Sequence, residues 1–87
     1  MKILFIIQYD SFVKTNIPII DYLIKNNNNC KIVLLQEWYK KKWINDEIKK
    51  EIINYKYDIV NSSNKIYKCL NQNFDICVFG TSGRRLI

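Results

Sequence analysis

The sequence predicts an open α/β fold: a four-stranded parallel sheet in the order 3-2-1-4, with helices on both faces. Three observations lead there. Short runs rich in β-branched and aromatic residues alternate with segments of helical spacing, in the order β-α-β-α-β-α-β. Each connection between runs is long enough to hold a helix, which implies parallel strands joined by right-handed crossovers. The apolar runs are continuous rather than alternating, as strands covered on both faces require.

The first run, Ile3, Leu4, Phe5, Ile6 and Ile7, has the character of a central strand. After the polar residues Tyr9, Asp10 and Ser11, apolar side chains recur at Val13, Ile17, Ile20, Leu23 and Ile24 with helical spacing. Pro18 leaves two options for that helix. Either Thr15 or Asn16 caps it and Pro18 lies in its first turn, where the missing N–H costs nothing, or it starts near Ser11 and kinks. The four asparagines at 26–29 suit the left-handed turn that ends a helix, and residues 31–36 follow as a second buried strand.

From Trp43 onward, Ile44, Ile48, Ile52 and Tyr55 keep helical spacing, with Asp46 and Glu47 where a helix N-terminus favours negative charge. Residues 57–61 form a short third strand. Ser62 or Ser63 can cap a third helix carrying Ile66, Cys69 and Leu70, ahead of a last strand at 74–79. The plan is that of a Rossmann-like half-unit, one partial domain spanning residues 1–87 and read as the front of a longer domain.

Composition narrows the function classes. The hydrophobic fraction of 48% is that of a globular chain and argues against disorder. A net charge of +6 favours anionic partners, yet the basic residues are dispersed, with clusters only at Lys40, Lys41, Lys42 and at Arg84, Arg85. Sixteen isoleucines, eleven asparagines and twelve lysines fit an AT-rich coding bias, so single Asn and Lys residues carry little weight as signals. Cys30, Cys69 and Cys77 form no Cys-x-x-Cys pair and the chain has no histidine, which argues against a metal site and against a disulfide framework. Reduced thiols in a cytoplasmic protein are the simplest reading. No apolar run reaches the length of a membrane span or a signal-peptide core.

The strongest functional signal is the placement of the two glycines. Both lie in the loop Gly80, Thr81, Ser82, Gly83, Arg84, Arg85, directly after the last strand. Glycine permits a sharp turn and close backbone approach, hydroxyls and backbone N–H groups can hold a phosphate or carboxylate, and an arginine adds a bidentate contact. A plain strand-to-helix turn with solvated arginines uses the same residues. In the order 3-2-1-4 the first and fourth strands are neighbours, so Tyr9, Asp10 and Ser11 would meet the glycine loop at the topological switch point, where open α/β sheets bind ligands.

Other constellations are weaker. No Gly-x-Gly-x-x-Gly follows the first strand, so a dinucleotide cofactor is disfavoured although Glu37 stands where a ribose-binding acid would. A receiver domain needs clustered acids after its first strand, and Asp10 is alone. Six residues separate Cys77 from Arg84, one more than a Cys-x5-Arg phosphatase loop has. Phe79 to Arg85 is similar to the opening motif of phosphohexomutases, but there the motif stands near the chain start, ahead of a serine phosphorylation loop. Trp38, Tyr39, Lys40, Lys41, Lys42 and Trp43 interleave aromatic and basic groups, which suits base stacking or an anionic membrane surface as well as rings packed under a loop.

The first 36 residues resemble the start of bacterial glycosyltransferases with two Rossmann-like domains (GT-B-like), of the capsular polysaccharide and polyglycerol-phosphate transferase type. The residues carrying the likeness are Met1 to Ile6, the helix at 17–24 beginning Ile17-Pro18, and the return strand at 31–35. In that family the helix usually ends in Gly-His, where this chain has Asn26 to Asn29 and Cys30. Phe74 to Gly80 is similar to the family's strand before an acceptor-side loop. The resemblance implies the front of an acceptor domain, truncated and inactive alone, since the family's donor site lies mainly in a second domain. Asp10 is the only carboxylate near the first loop and so the one candidate base.

The expected ligand is thus an anionic or sugar-containing acceptor, with no cofactor and no metal, bound by Tyr9, Asp10, Ser11 and Gly80 through Arg85. The chain would be cytoplasmic, with contact at the inner membrane surface an option. Two other classes compete: a small Rossmann-like module that oligomerises or assembles with a partner chain, and a basic nucleic-acid binder using Trp38 to Trp43, which the scattered charge disfavours.

Overall fold

A computed structural model describes residues 1–36, 44–61, 68 and 72–79 of the chain. Four strands, β1 (Lys2–Ile7), β2 (Asn29–Leu35), β3 (Tyr57–Val60) and β4 (Ile76–Phe79), form one sheet in the order β3-β2-β1-β4. All three pairings are parallel: Ile3 lies beside Cys30 and Ile76, and Ile32 lies beside Tyr57. This is the open α/β half-unit and the strand order that the sequence predicts.

β1 is central because it can be buried on both sides. Ile3, Phe5 and Ile7 point into one apolar layer, with Cys30, Ile32 and Leu34 of β2. Leu4 and Ile6 point into the other, with Val33, Leu35 and Val60. The five apolar residues of β1, Ile3 to Ile7, are all buried, and complete burial of such a side chain contributes about 1.5–3 kcal/mol.

The helices α1 (Asp10–Lys25) and α2 (Asp46–Glu51) cover the first layer through Val13, Ile20 and Ile48, with Ile44 and Ile52 flanking α2. They share one face because both crossovers turn with the same hand and step the same way across the sheet. The third helix expected from Ser62 or Ser63, with Ile66, Cys69 and Leu70, lies outside the described residues.

α1 starts at Asp10, six residues before the cap position Asn16, and Pro18 lies in its middle. Of the two options, the start near Ser11 is the one found, and the first-turn placement of Pro18 is corrected. Proline removes the N–H that the Lys14 carbonyl would accept, and the helix accommodates this because Lys14 and Pro18 both face solvent. In the turn before it, Thr15 Oγ1 donates to the Ser11 carbonyl at 2.9 Å and Asn16 Nδ2 donates to the Phe12 carbonyl at 2.7 Å. Asn16, a buried polar residue, thereby has a partner for its amide.

The asparagine turn behaves as its residue types require. Asn27 sits in the left-handed region at φ 66°. The Asn28 N–H donates to the Leu23 carbonyl and the Asn27 N–H to the Ile24 carbonyl, both at 3.0 Å, which is the Schellman closure. The side-chain amides of Asn26 and Asn28 add bonds to the Tyr22 and Leu23 carbonyls at 2.8 and 3.0 Å. α2 is shorter than its periodicity suggests, and Asn45 starts it: the side-chain oxygen accepts the Ile48 N–H at 3.0 Å.

β4 begins at Ile76, two residues later than its apolar run. Asp75 is used instead as a clamp. Its carboxylate accepts the Lys2 N–H and its own N–H donates to the Lys2 carbonyl, both at 2.8 Å, which sets the β1–β4 register from the amino end.

Candidate functional site

The carboxyl ends of β1 and β4 lie side by side, with Ile6 level with Phe79, so the sheet has its switch point where the sequence puts it. Gln8 and Tyr9 leave β1 at this edge, and α1 begins at the next residue. Tyr9 is the N-terminal flanking residue of α1, extended at φ −142° and ψ 151°, and its carbonyl accepts the Phe12 N–H at 3.1 Å. Its ring meets the Phe12 ring edge-on, with centroids 5.5 Å apart and planes at 77°. Phe12 in turn packs on the first apolar layer. Tyr9 is thus half-buried and anchored at the rim of the edge.

Asp10 and Ser11 are exposed in the first turn of α1. The Asp10 Oδ1 accepts the Ser11 N–H at 2.8 Å, so the negative charge sits against the positive end of the helix dipole. That arrangement decides what this loop can hold. A carboxylate already occupies the place an incoming phosphate would take, whereas its remaining lone pairs can accept from hydroxyl donors. On the β1 side, this edge suits a polyhydroxylated ligand better than an anion.

The other half of the predicted site, Gly80, Thr81, Ser82, Gly83, Arg84 and Arg85, lies outside the described residues, as do Glu37 and the segment Trp38 to Trp43. Cys77 stands within β4, partly buried beside the second apolar layer. Burial pushes its thiol above the ordinary cysteine range, which leaves little thiolate at neutral pH and supports the reading against a nucleophile. Burial likewise raises the Cys30 thiol, against a smaller opposing effect of the chain's N-terminal charge. Among the described residues no cluster of three or more His, Cys, Asp or Glu is placed to hold a metal ion.

Sequence reasoning missed a hollow at the opposite, amino-terminal edge of the sheet. It has a volume of about 170 Å³ and is lined by Lys2, Asn29, Lys31, Lys56, Gln72 and Phe74. The period-two alternation placing Lys2 with Leu4 and Lys31 with Val33 was legible, but the cross-strand register that gathers three lysines was not.

No family model matches the chain, and neither a curated protein nor a solved structure is significantly similar to it. The fold therefore defines a class only: a Rossmann-like α/β half-unit with its topological switch point between β1 and β4.

Proposed function

We propose that this chain is the acceptor-side front of a GT-B-like glycosyltransferase of surface polysaccharide synthesis, inactive alone. The observation that supports it best is the carboxyl edge of β1 beside β4. There Asp10 offers a carboxylate acceptor and Tyr9 a fixed aromatic ring, a pairing suited to sugar hydroxyls and the apolar face of a sugar ring. Asp10 is the candidate base, and Gly80 through Arg85 would supply the contacts to any anionic group on the acceptor. The reading puts the protein in the cytoplasm, at or near the inner membrane, and no described helix is long and apolar enough to cross a membrane.

A titration of the 87-residue chain with capsular-type oligosaccharides and glycerol-phosphate oligomers, followed by backbone amide shifts, tests this. Perturbations centred on Tyr9, Asp10 and Ser11 and weakened by Asp10→Asn support the acceptor reading; their absence with every probe rejects it. Sugar or glycerol-phosphate transfer by the chain itself would refute the claim of inactivity. The downstream gene sequence is a second check, since the reading requires a further Rossmann-like domain in frame or in a neighbouring frame.

One observation favours the second reading, a module completed by a partner chain. β4 has β1 as its one strand partner among the described residues, and Ile76 and Phe79 on it are 42% and 54% exposed. An edge strand with exposed apolar side chains and unpaired backbone groups is a place for another strand to add. Sedimentation as a stable dimer with a single cooperative melting transition would favour the module over the fragment.

A further inference from the structure

At the amino-terminal edge of the sheet three lysines, Lys2, Lys31 and Lys56, line one hollow. By strand alternation Lys2 shares a face with Leu4 and Ile6, and Lys31 shares it with Val33 and Leu35. Lys56 directly precedes β3, and its carbonyl accepts the Ile32 N–H at 3.0 Å, which puts it beside Lys31 in the parallel register. Two lysines side by side on neighbouring strands repel, so the folded sheet holds them together at a cost. Only one carboxylate answers them directly: Asp58 Oδ2 lies 2.7 Å from Lys31 Nζ, and this is the one ion pair among the described residues. Asp75, next to the hollow, is engaged by the Lys2 backbone N–H.

The hollow between these lysines has further donors in the Asn29 and Gln72 amides, and Phe74 gives it an apolar wall continuous with the second apolar layer. Its volume of about 170 Å³ is below the ~300–1,000 Å³ of sites for drug-sized ligands, so a dinucleotide is too large and a small polyanion is the right scale. We propose that this hollow binds a small multivalent anion of the phosphate class, of about pyrophosphate size, through Lys2, Lys56 and Lys31. A multivalent anion would relieve the Lys31–Lys56 repulsion and take up amide donors that water otherwise satisfies. The site is at the opposite end of the strands from the acceptor edge and does not depend on it.

The test is a titration of the full chain with inorganic pyrophosphate, followed by amide shifts and calorimetry at low and high salt. Saturable shifts confined to Lys2, Asn29, Lys31, Lys56 and Gln72 are expected. Lys56→Gln should weaken binding roughly tenfold, while Lys49→Gln, on exposed α2, should leave it unchanged. Asp58→Asn is the decisive variant: it releases Lys31 to the ligand and should tighten binding several-fold, a gain that no loss of fold can imitate. Shifts spread over all the lysines, equal effects of Lys56→Gln and Lys49→Gln, or no tightening in Asp58→Asn would each overturn the assignment. So would binding to phosphatidic acid vesicles without binding to soluble pyrophosphate.

Discussion

The Tyr55 hydroxyl donates a hydrogen bond to the Asp21 carboxylate, joining the segment after α2 to the outer half of α1 across 34 positions of sequence. Both helices already lie on one face of the sheet, and this bond ties the chain after α2 to α1 there. Because an ionised phenol could not donate, the bond first, then burial and the Asp21 charge, hold the Tyr55 hydroxyl above the ordinary tyrosine value of 10.0.

Its contribution should therefore have a defined pH dependence. A group whose folded pKa lies above its unfolded one stabilises fully below the unfolded value and loses that stabilisation as pH rises through the folded value. Denaturant titrations should show stability falling above about pH 10, and Tyr55→Phe should flatten that fall. At neutral pH the same variant should cost about 0.5–1.5 kcal/mol. An unchanged alkaline limb in Tyr55→Phe would show that other groups cause it.

Pro18 gives a prediction of the opposite sign. A proline inside a helix costs about 3 kcal/mol relative to alanine, offset by about 0.4–1 kcal/mol from stiffening the unfolded chain. Pro18 is exposed, so Pro18→Ala should stabilise the protein by about 2–2.6 kcal/mol. A domain of this length should then melt several degrees higher, about 4–8 °C per kcal/mol. A lower melting temperature would mean that the proline shapes α1 for its packing.

Asn45 should matter more than its exposed position suggests. Asn45→Ala removes the acceptor for the Ile48 N–H and should cost about 1 kcal/mol, whereas Asn45→Asp should be nearly neutral. Because α2 is only six residues long and carries Ile48 into the core, loss of its cap should also raise amide exchange through α2. Equal exchange in wild type and Asn45→Ala would contradict this.

The thiols offer a chemical check. With their pKa raised by burial, Cys30 and Cys77 should react with iodoacetamide at neutral pH more slowly than a free cysteine, and at the free rate once the chain is denatured. Rapid native-state alkylation of Cys77 would reopen a nucleophilic role.

The strand order was legible because β1 and β2 are unbroken apolar runs and because helix-length connections leave few topologies for parallel strands. Boundaries were less so. Pro18 left the α1 start open between a cap at Thr15 or Asn16 and a start near Ser11; packing of Val13 and Phe12 decides for the earlier one. The asparagine run was legible as the turn that ends α1, where the Asn26 and Asn28 side chains close it; Asn45, discounted as a single asparagine, opens α2. Topology alone brought Tyr9, Asp10 and Ser11 to the β1–β4 edge, while the lysine hollow depends on a register that alternation within one strand does not reveal.

The two seams of β1 differ in how far the chain must travel to make them. On one side Ile3 meets Cys30 after a single helix; on the other, the Lys2–Asp75 clamp closes a loop of 73 residues. Loop-closure entropy makes the second seam the slower to form, so β4 should dock last during folding. The switch-point edge exists only after that docking. A ligand spanning β1 and β4 would act as a late-stage latch, binding the finished sheet but not one lacking β4, and so stabilising the β1–β4 seam.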